Sequence, residues 1–171
     1  TRYGISSCLR TSSAFDVIGY DISDQRISEL KKYYDKTNEV TKTKLQKAKR
    51  LSVTASIDSI KNHNIYIITV PTPVNEDNLP DLTLLKKACK LVSKIMAKDS
   101  IIIFESTVYP GVTENICAPI LAKYSGYKLN KSFFLGYSPE RINPGDKKHS
   151  VEKITKVVSG SNSASATIIG N

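Results

Sequence analysis

The sequence predicts an α/β fold, a mostly parallel sheet with helices on both of its faces. Three observations predict it. Short apolar runs alternate with stretches of helical spacing along the whole chain. The main runs, IYIITV at 65–70 and SIIIFE at 100–105 among them, are nearly all apolar, as in strands covered on both sides. Four runs end on polar or proline-containing residues, at Asp21, Pro71 to Pro73, Ser106-Thr107 and Ser138 to Glu140. Doubly wound sheets hold their ligands beyond the carboxyl ends of their strands, so four such ends together point to a binding edge.

The elements follow in order. Phe15 to Tyr20 (FDVIGY) reads as a buried strand. Ser23 is a good N-cap for the helix that follows, with Ile22, Ile27 and Leu30 on its apolar face. Residues 37–49 are polar and charged, a loop plus a surface helix. Leu51 to Ala55 is a β-branched strand, and Ser56 to Lys61 a short helix or turn. The strand at 65–70 stops at Pro71-Thr72-Pro73, because proline cannot donate to a ladder. Residues 81–97 carry Leu82, Leu85, Ala88, Cys89, Val92 and Met96 at helical spacing. After the strand at 100–105, Pro110-Gly111 breaks the chain and Val112 to Tyr124 reads as helix. Phe133 to Tyr137 is a fourth strong strand, and Lys156 to Ser159 a last one. Tyr3 to Ala14 shows no helical apolar stripe and no glycine-rich turn, and reads as an aberrant segment. The expected organisation is therefore residues 1–14 as that segment, 15–160 as one domain and 161–171 as a truncated tail.

The bulk numbers exclude several classes. With 171 residues the chain is long enough for a domain with its own core. No apolar run approaches the roughly 18 residues that span a bilayer, and the N-terminus has no signal-peptide core. Cys8, Cys89 and Cys117 are odd in number and lie in no CxxC, so neither a disulfide framework nor a metal site is expected. That fits a cytoplasmic protein. Cys89 and Cys117 fall on apolar faces, as small core hydrophobes do. The net charge is +9, with the densest basic stretch at Lys42 to Arg50. This stretch reads as a solvated helix face, with an anionic ligand or nucleic acid as alternatives. The nine tyrosines are scattered and make no aromatic stripe of the kind nucleic-acid binders use.

The strand ends carry the candidate chemistry. An acid at Asp21 suits hydrogen bonds from an adenosine ribose, where it selects NAD by repelling a 2′-phosphate. It equally suits a helix N-terminus, where the dipole favours it. At Val70-Pro71-Thr72-Pro73 the prolines fix the backbone and the Thr72 hydroxyl can bond a ligand; a plain strand stop is the alternative. Ser106 and Thr107 place two hydroxyls directly after a strand, where they suit a water, a ribose hydroxyl or a helix cap. Glu140, after Pro139, suits a general base or a surface ion pair with Arg141.

Taken together, Phe15 to Asp21, Val70 to Pro73, Ser106 to Gly111 and SPERINPGD at 138–146 resemble the UDP-glucose/GDP-mannose dehydrogenase family, over roughly residues 15–160. SPERINPGD looks most like the branch that oxidises UDP-N-acetylhexosamines. The resemblance implies a Rossmann-type fold and an enzyme that oxidises the sugar C6 alcohol to a carboxylate. It uses two NAD and a cysteine thioester that water hydrolyses. By motif position it places Asp21 on the adenosine ribose with Arg26 nearby. Val70, Pro71 and Thr72 line the NAD site, and Ser106 and Thr107 lie near the nicotinamide. Thr107 also positions water, and Glu140 supports thioester hydrolysis. A UDP-sugar substrate and a homo-oligomeric full-length enzyme are implied, with no nucleic acid or membrane.

Two departures from the family pattern shape the expectations. None of the three cysteines lies in the catalytic context, so the chain is expected to be inactive alone. The family's glycine loop and first strand are missing or altered. Read one nucleotide out of frame, codons permitted for Tyr3 to Ser13 can encode GFPLAFAL, so a frameshifted or miscalled N-terminus is expected. Loss of the central strand should leave unpaired edges and exposed apolar faces. The product should therefore be marginally stable; a cooperative melt above about 50 °C would contradict this.

Overall fold

A computed structural model of the chain describes residues 4–76, 78–139 and 157–170. They form two compact units, Thr1–Lys61 and Asn62–Asn171.

The first unit holds α1 (Gly4–Thr11), β1 (Val17–Tyr20), α2 (Asp24–Lys31), α3 (Lys42–Lys47), β2 (Leu51–Thr54) and a 3-10 turn (Ile57–Ile60). β1 and β2 pair in parallel from Val17 opposite Leu51 to Tyr20 opposite Thr54. α2 starts where expected: the Ser23 hydroxyl accepts from the Arg26 N–H, satisfying one orphan donor of the first turn. Its buried face is Ile27 and Leu30. Ile22 precedes the helix and is exposed, so it is not part of that face as the spacing had suggested.

Residues 4–11 correct the reading of the N-terminus. They form a helix, with Ile5 buried in a cluster with Leu30, Val40 and Leu45, and with Cys8 and Leu9 packed against it. Ile5, Cys8 and Leu9 are spaced i, i+3, i+4, which is a helical stripe. Cysteine and one isoleucine make it a thin one, and the polar residues between them hid it.

The second unit holds β3 (Ile65–Ile68), α4 (Thr83–Ile95), β4 (Ser100–Phe104), a π-helical turn (Thr113–Cys117), α5 (Ala118–Ser125), β5 (Phe133–Tyr137), β6 (Ser159–Gly160) and α6 (Ser163–Gly170). β3, β4 and β5 are parallel neighbours in that order. β6 closes the far edge antiparallel to β5, two residues long and shifted C-terminally from the predicted 156–159. β4 is buried at every residue, as its four apolar residues after Ser100 require. Buried in the same unit are Leu85, Cys89 and Val92 of α4, Leu121 of α5, and Phe133 and Leu135 of β5. Gly126, with φ 75°, ends α5 in the left-handed conformation that a helix C-cap favours. Gly136 has no side chain because a Cβ there would collide with Ile169 of α6.

The predicted helix over 112–124 begins as a π-helical turn, so its first residues pack with a different periodicity. Cys117 in that turn and Cys89 in α4 are both fully buried. The hydrogen bond that the Cys89 thiol donates to the Cys117 sulfur, reinforced by burial, pushes the Cys89 thiol up from its ordinary value. Thiolates are the reactive form, so an alkylating reagent at neutral pH should modify the half-buried Cys8 well before Cys89. Peptide mass spectrometry reads this directly; equal rates in the native chain would contradict the buried placement.

Among the described residues, β1 pairs only with β2, and β3 only with β4. The exposed isoleucines Ile18, Ile65 and Ile67 sit on those two strands.

Candidate cofactor-binding edge

In the first unit, Asp21 continues the β1 ladder by one residue, its N–H donating to the Thr54 carbonyl at 3.2 Å. Its Oδ1 accepts the Ser23 N–H at 2.9 Å, a turn that holds the carboxylate at the start of α2. The side chain is half-buried. A carboxylate at a parallel strand's carboxyl end, beside a helix N-terminus, is the donor-accepting group an adenosine ribose needs. The residues present therefore fit a dinucleotide's ribose.

Arg26 is positioned differently from the motif-based expectation of a ribose neighbour. Its Nη2 donates to Asp35 Oδ1 at 2.6 Å, and the Asp35 side chain is wholly inaccessible. Asp35 also accepts from Thr37 Oγ1 at 2.7 Å and Thr37 N at 3.2 Å, and from the N–H groups of Glu39 and Val40 at 2.9 Å each. The guanidinium thus anchors the loop after α2. Burial alone would push the Asp35 carboxyl up, but the hydrogen bonds from Thr37 and Arg26 outweigh it and hold the group below 3.8. Sequence reasoning missed Asp35. The available signal was Asp-x-Thr at 35–37, an Asx-type turn.

In the second unit, two hydroxyls lock two strand-end loops together. Ser106 Oγ donates to the Val70 carbonyl at 2.6 Å, and Thr72 Oγ1 to the Thr107 carbonyl at 2.6 Å. The segment after β3 and the segment after β4 are therefore cross-tied twice. Ser106 is buried and engaged, while Thr107 is exposed. Val70, Pro71, Thr72, Ser106 and Thr107 are thus gathered at one sheet end, with Thr107 offering its hydroxyl to solvent. Replacing Ser106 with alanine leaves the part-buried Val70 carbonyl without that donor. The expected loss is about 1–3 kcal/mol in urea unfolding; no measurable change would mean that the tie is not needed.

One row further on, Glu105 and Ser138 extend the ladder. The Glu105 N–H donates to Ile68 O at 3.0 Å and the Ser138 N–H to Phe104 O at 2.9 Å. Both are buried. Ser138 opens the polar strand end at 138–140 named from the sequence, whereas Glu105 was read only as the last residue of the run at 100–105. Glu140 lies outside the described residues. Among the described residues no group of acids, histidines and cysteines can hold a metal ion, and no helix is long and apolar enough to cross a membrane.

Residues 4–170 match the model of the UDP-glucose/GDP-mannose dehydrogenase family, NAD binding domain. The chain belongs to this family. The match starts at Gly4 and so takes in α1. Protein CapL of Staphylococcus aureus is 50% identical over 157 residues, 92% of this chain and 37% of that protein. UDP-N-acetyl-D-glucosamine 6-dehydrogenase of Pseudomonas aeruginosa is 49% identical over 153 residues, 90% of this chain and 36% of the relative. The solved UDP-D-ManNAc dehydrogenase of Pyrococcus horikoshii superposes with a TM-score of 0.89 at 28% identity, covering 99% of this chain and 41% of that one. The chain thus spans little more than a third of the length of the relatives it matches, and the part it matches is the family's NAD-binding, Rossmann-type module.

Proposed function

We propose that this chain is the cofactor-binding portion of an NAD-dependent UDP-N-acetylhexosamine 6-dehydrogenase that supplies a uronic acid for polysaccharide synthesis. The observation that carries the reading is the 49% identity to the Pseudomonas aeruginosa UDP-N-acetyl-D-glucosamine 6-dehydrogenase, over nine-tenths of this chain. In the first unit Asp21 accepts the adenosine ribose hydroxyls and disfavours a 2′-phosphate by charge. In the second, Val70, Pro71 and Thr72 form one wall of the nicotinamide side, held by Ser106. There the Thr107 hydroxyl orients a water. Glu140 is assigned by motif position alone, as the group that takes the proton from that water. Bound NAD supplies the hydride acceptor for the sugar alcohol.

Cys89 and Cys117 are buried, and none of the three cysteines lies in a catalytic context, so the chain by itself is proposed to bind without turnover. The full-length enzyme is proposed to act as a homo-oligomer in the cytoplasm.

The test is a titration of the purified chain with NADH and NADPH, followed by the cofactor's fluorescence. NADH should bind the more tightly, and addition of UDP-N-acetylglucosamine with NAD should yield no NADH. Equal binding of both cofactors, or of neither, would overturn the Asp21 assignment.

A further inference from the structure

The first unit carries a concave site unconnected with the dehydrogenase reading. α2 leaves the carboxyl end of β1 and runs back, so the loop that follows it returns the chain towards Leu51, which begins β2. Lys32, Tyr33, Tyr34, Asn38, Thr41 and Lys42 line a cavity of about 330 Å³ there, past the C-terminus of α2, whereas Asp21 precedes its N-terminus. That volume is at the low end for small-molecule sites.

Three features set it apart from an ordinary loop surface. The loop is over-determined: one wholly buried carboxylate, Asp35, accepts five hydrogen bonds from Arg26, Thr37, Glu39 and Val40. Two lining residues are held in the left-handed region, Tyr33 at φ 59° and Asn38 at φ 55°. Tyr33 stands one residue past the C-cap of α2, where its N–H and that of Tyr34 bond back to the Leu30 and Glu29 carbonyls, so the left-handed turn is the helix stop that fixes the backbone carrying both rings. The cavity is also electrostatically one-sided. Its lining holds two lysines, and its only acid, Asp35, is turned inward onto Arg26. Two ammonium groups and two exposed phenol rings on a fixed backbone select a ligand that is both anionic and planar.

We propose that this cavity binds a nucleotide, with its phosphates on Lys32 and Lys42 and its base against Tyr33 or Tyr34. A site at this end of the unit is free to report nucleotide level while Asp21 serves the cofactor edge.

The experiment is calorimetric titration of the full chain with UDP, compared with inorganic phosphate. UDP should bind at least about tenfold more tightly than phosphate, because the rings contribute as well as the charge. The double variant Lys32→Ala with Lys42→Ala should weaken UDP about tenfold or more, and Asp21→Ala should leave it unchanged. Both lysines are exposed, so the double variant should melt as the parent does. UDP binding that survives loss of both lysines, or that falls with Asp21→Ala, overturns the site. Phosphate binding as tightly as UDP overturns the nucleotide assignment, and no UDP binding at all overturns both. None of these results depends on whether NADH binds.

Discussion

Asp21→Ala will weaken NADH binding by about 1.5–3 kcal/mol, roughly ten- to a hundredfold in Kd, and will abolish the preference over NADPH. The magnitude is that of hydrogen bonds to a charged acceptor, which are worth about twice those between neutral groups. The direction of the NADPH change follows from the charge: removing the carboxylate relieves repulsion of the 2′-phosphate while removing the acceptors for the ribose hydroxyls. Asp21→Asn separates the two effects, because it keeps an acceptor oxygen and loses the charge. It should recover part of the NADH affinity and none of the discrimination. Ser23 caps α2 through its own hydroxyl, so α2 should persist in both variants, which circular dichroism will check. An Asp21→Ala chain that binds NADH as the parent does would return Asp21 to the role of a helix-start acid.

Asp35→Ala should cost about 3–5 kcal/mol in urea unfolding, the range for breaking a buried ion pair from one side. It strands the Arg26 guanidinium and removes the acceptor from Thr37 and from two further backbone N–H groups. Because native stability is itself only about 5–15 kcal/mol, the first unit should unfold early or entirely. The same contacts set a pH dependence. Asp35 is held below its ordinary value of 3.8 in the folded chain. Its stabilisation is thus complete above the unfolded value and is lost as pH falls through the lower, folded one. Acid titration of the parent should show this loss only below about pH 3.8, and Asp35→Asn should remove that component. A loss under about 1 kcal/mol for Asp35→Ala would mean that the loop holds without its central acceptor.

Much of the second unit was legible from residue type alone. SIIIFE is apolar enough to be nothing but a covered strand, IYIITV is a strand as read although Ile65 and Ile67 on it are exposed, and Leu85, Cys89 and Val92 fall on one helical face. Phe133–Tyr137 was placed to the residue. The first unit was harder to read because its elements are short and its core is shared among distant residues. α1 contributes little more than Ile5, Cys8 and Leu9 to that core. Such a stripe gains its meaning only when Leu30, Val40 and Leu45 close over it.

By itself the sequence determined the parallel α/β arrangement, the family, and the acid and hydroxyls at the strand ends, since each rests on local pattern or on motif order. Only the tertiary structure decided what those side chains do. Ser106 and Thr72 turned out to bond carbonyls on the neighbouring strand-end segments, 36 and 35 residues away in the chain. Arg26, placed by motif beside a ribose, instead meets Asp35. Hydrogen-bond partners are chosen by proximity after folding, and nothing in the spacing of residues along a chain encodes which buried donor will face which acceptor.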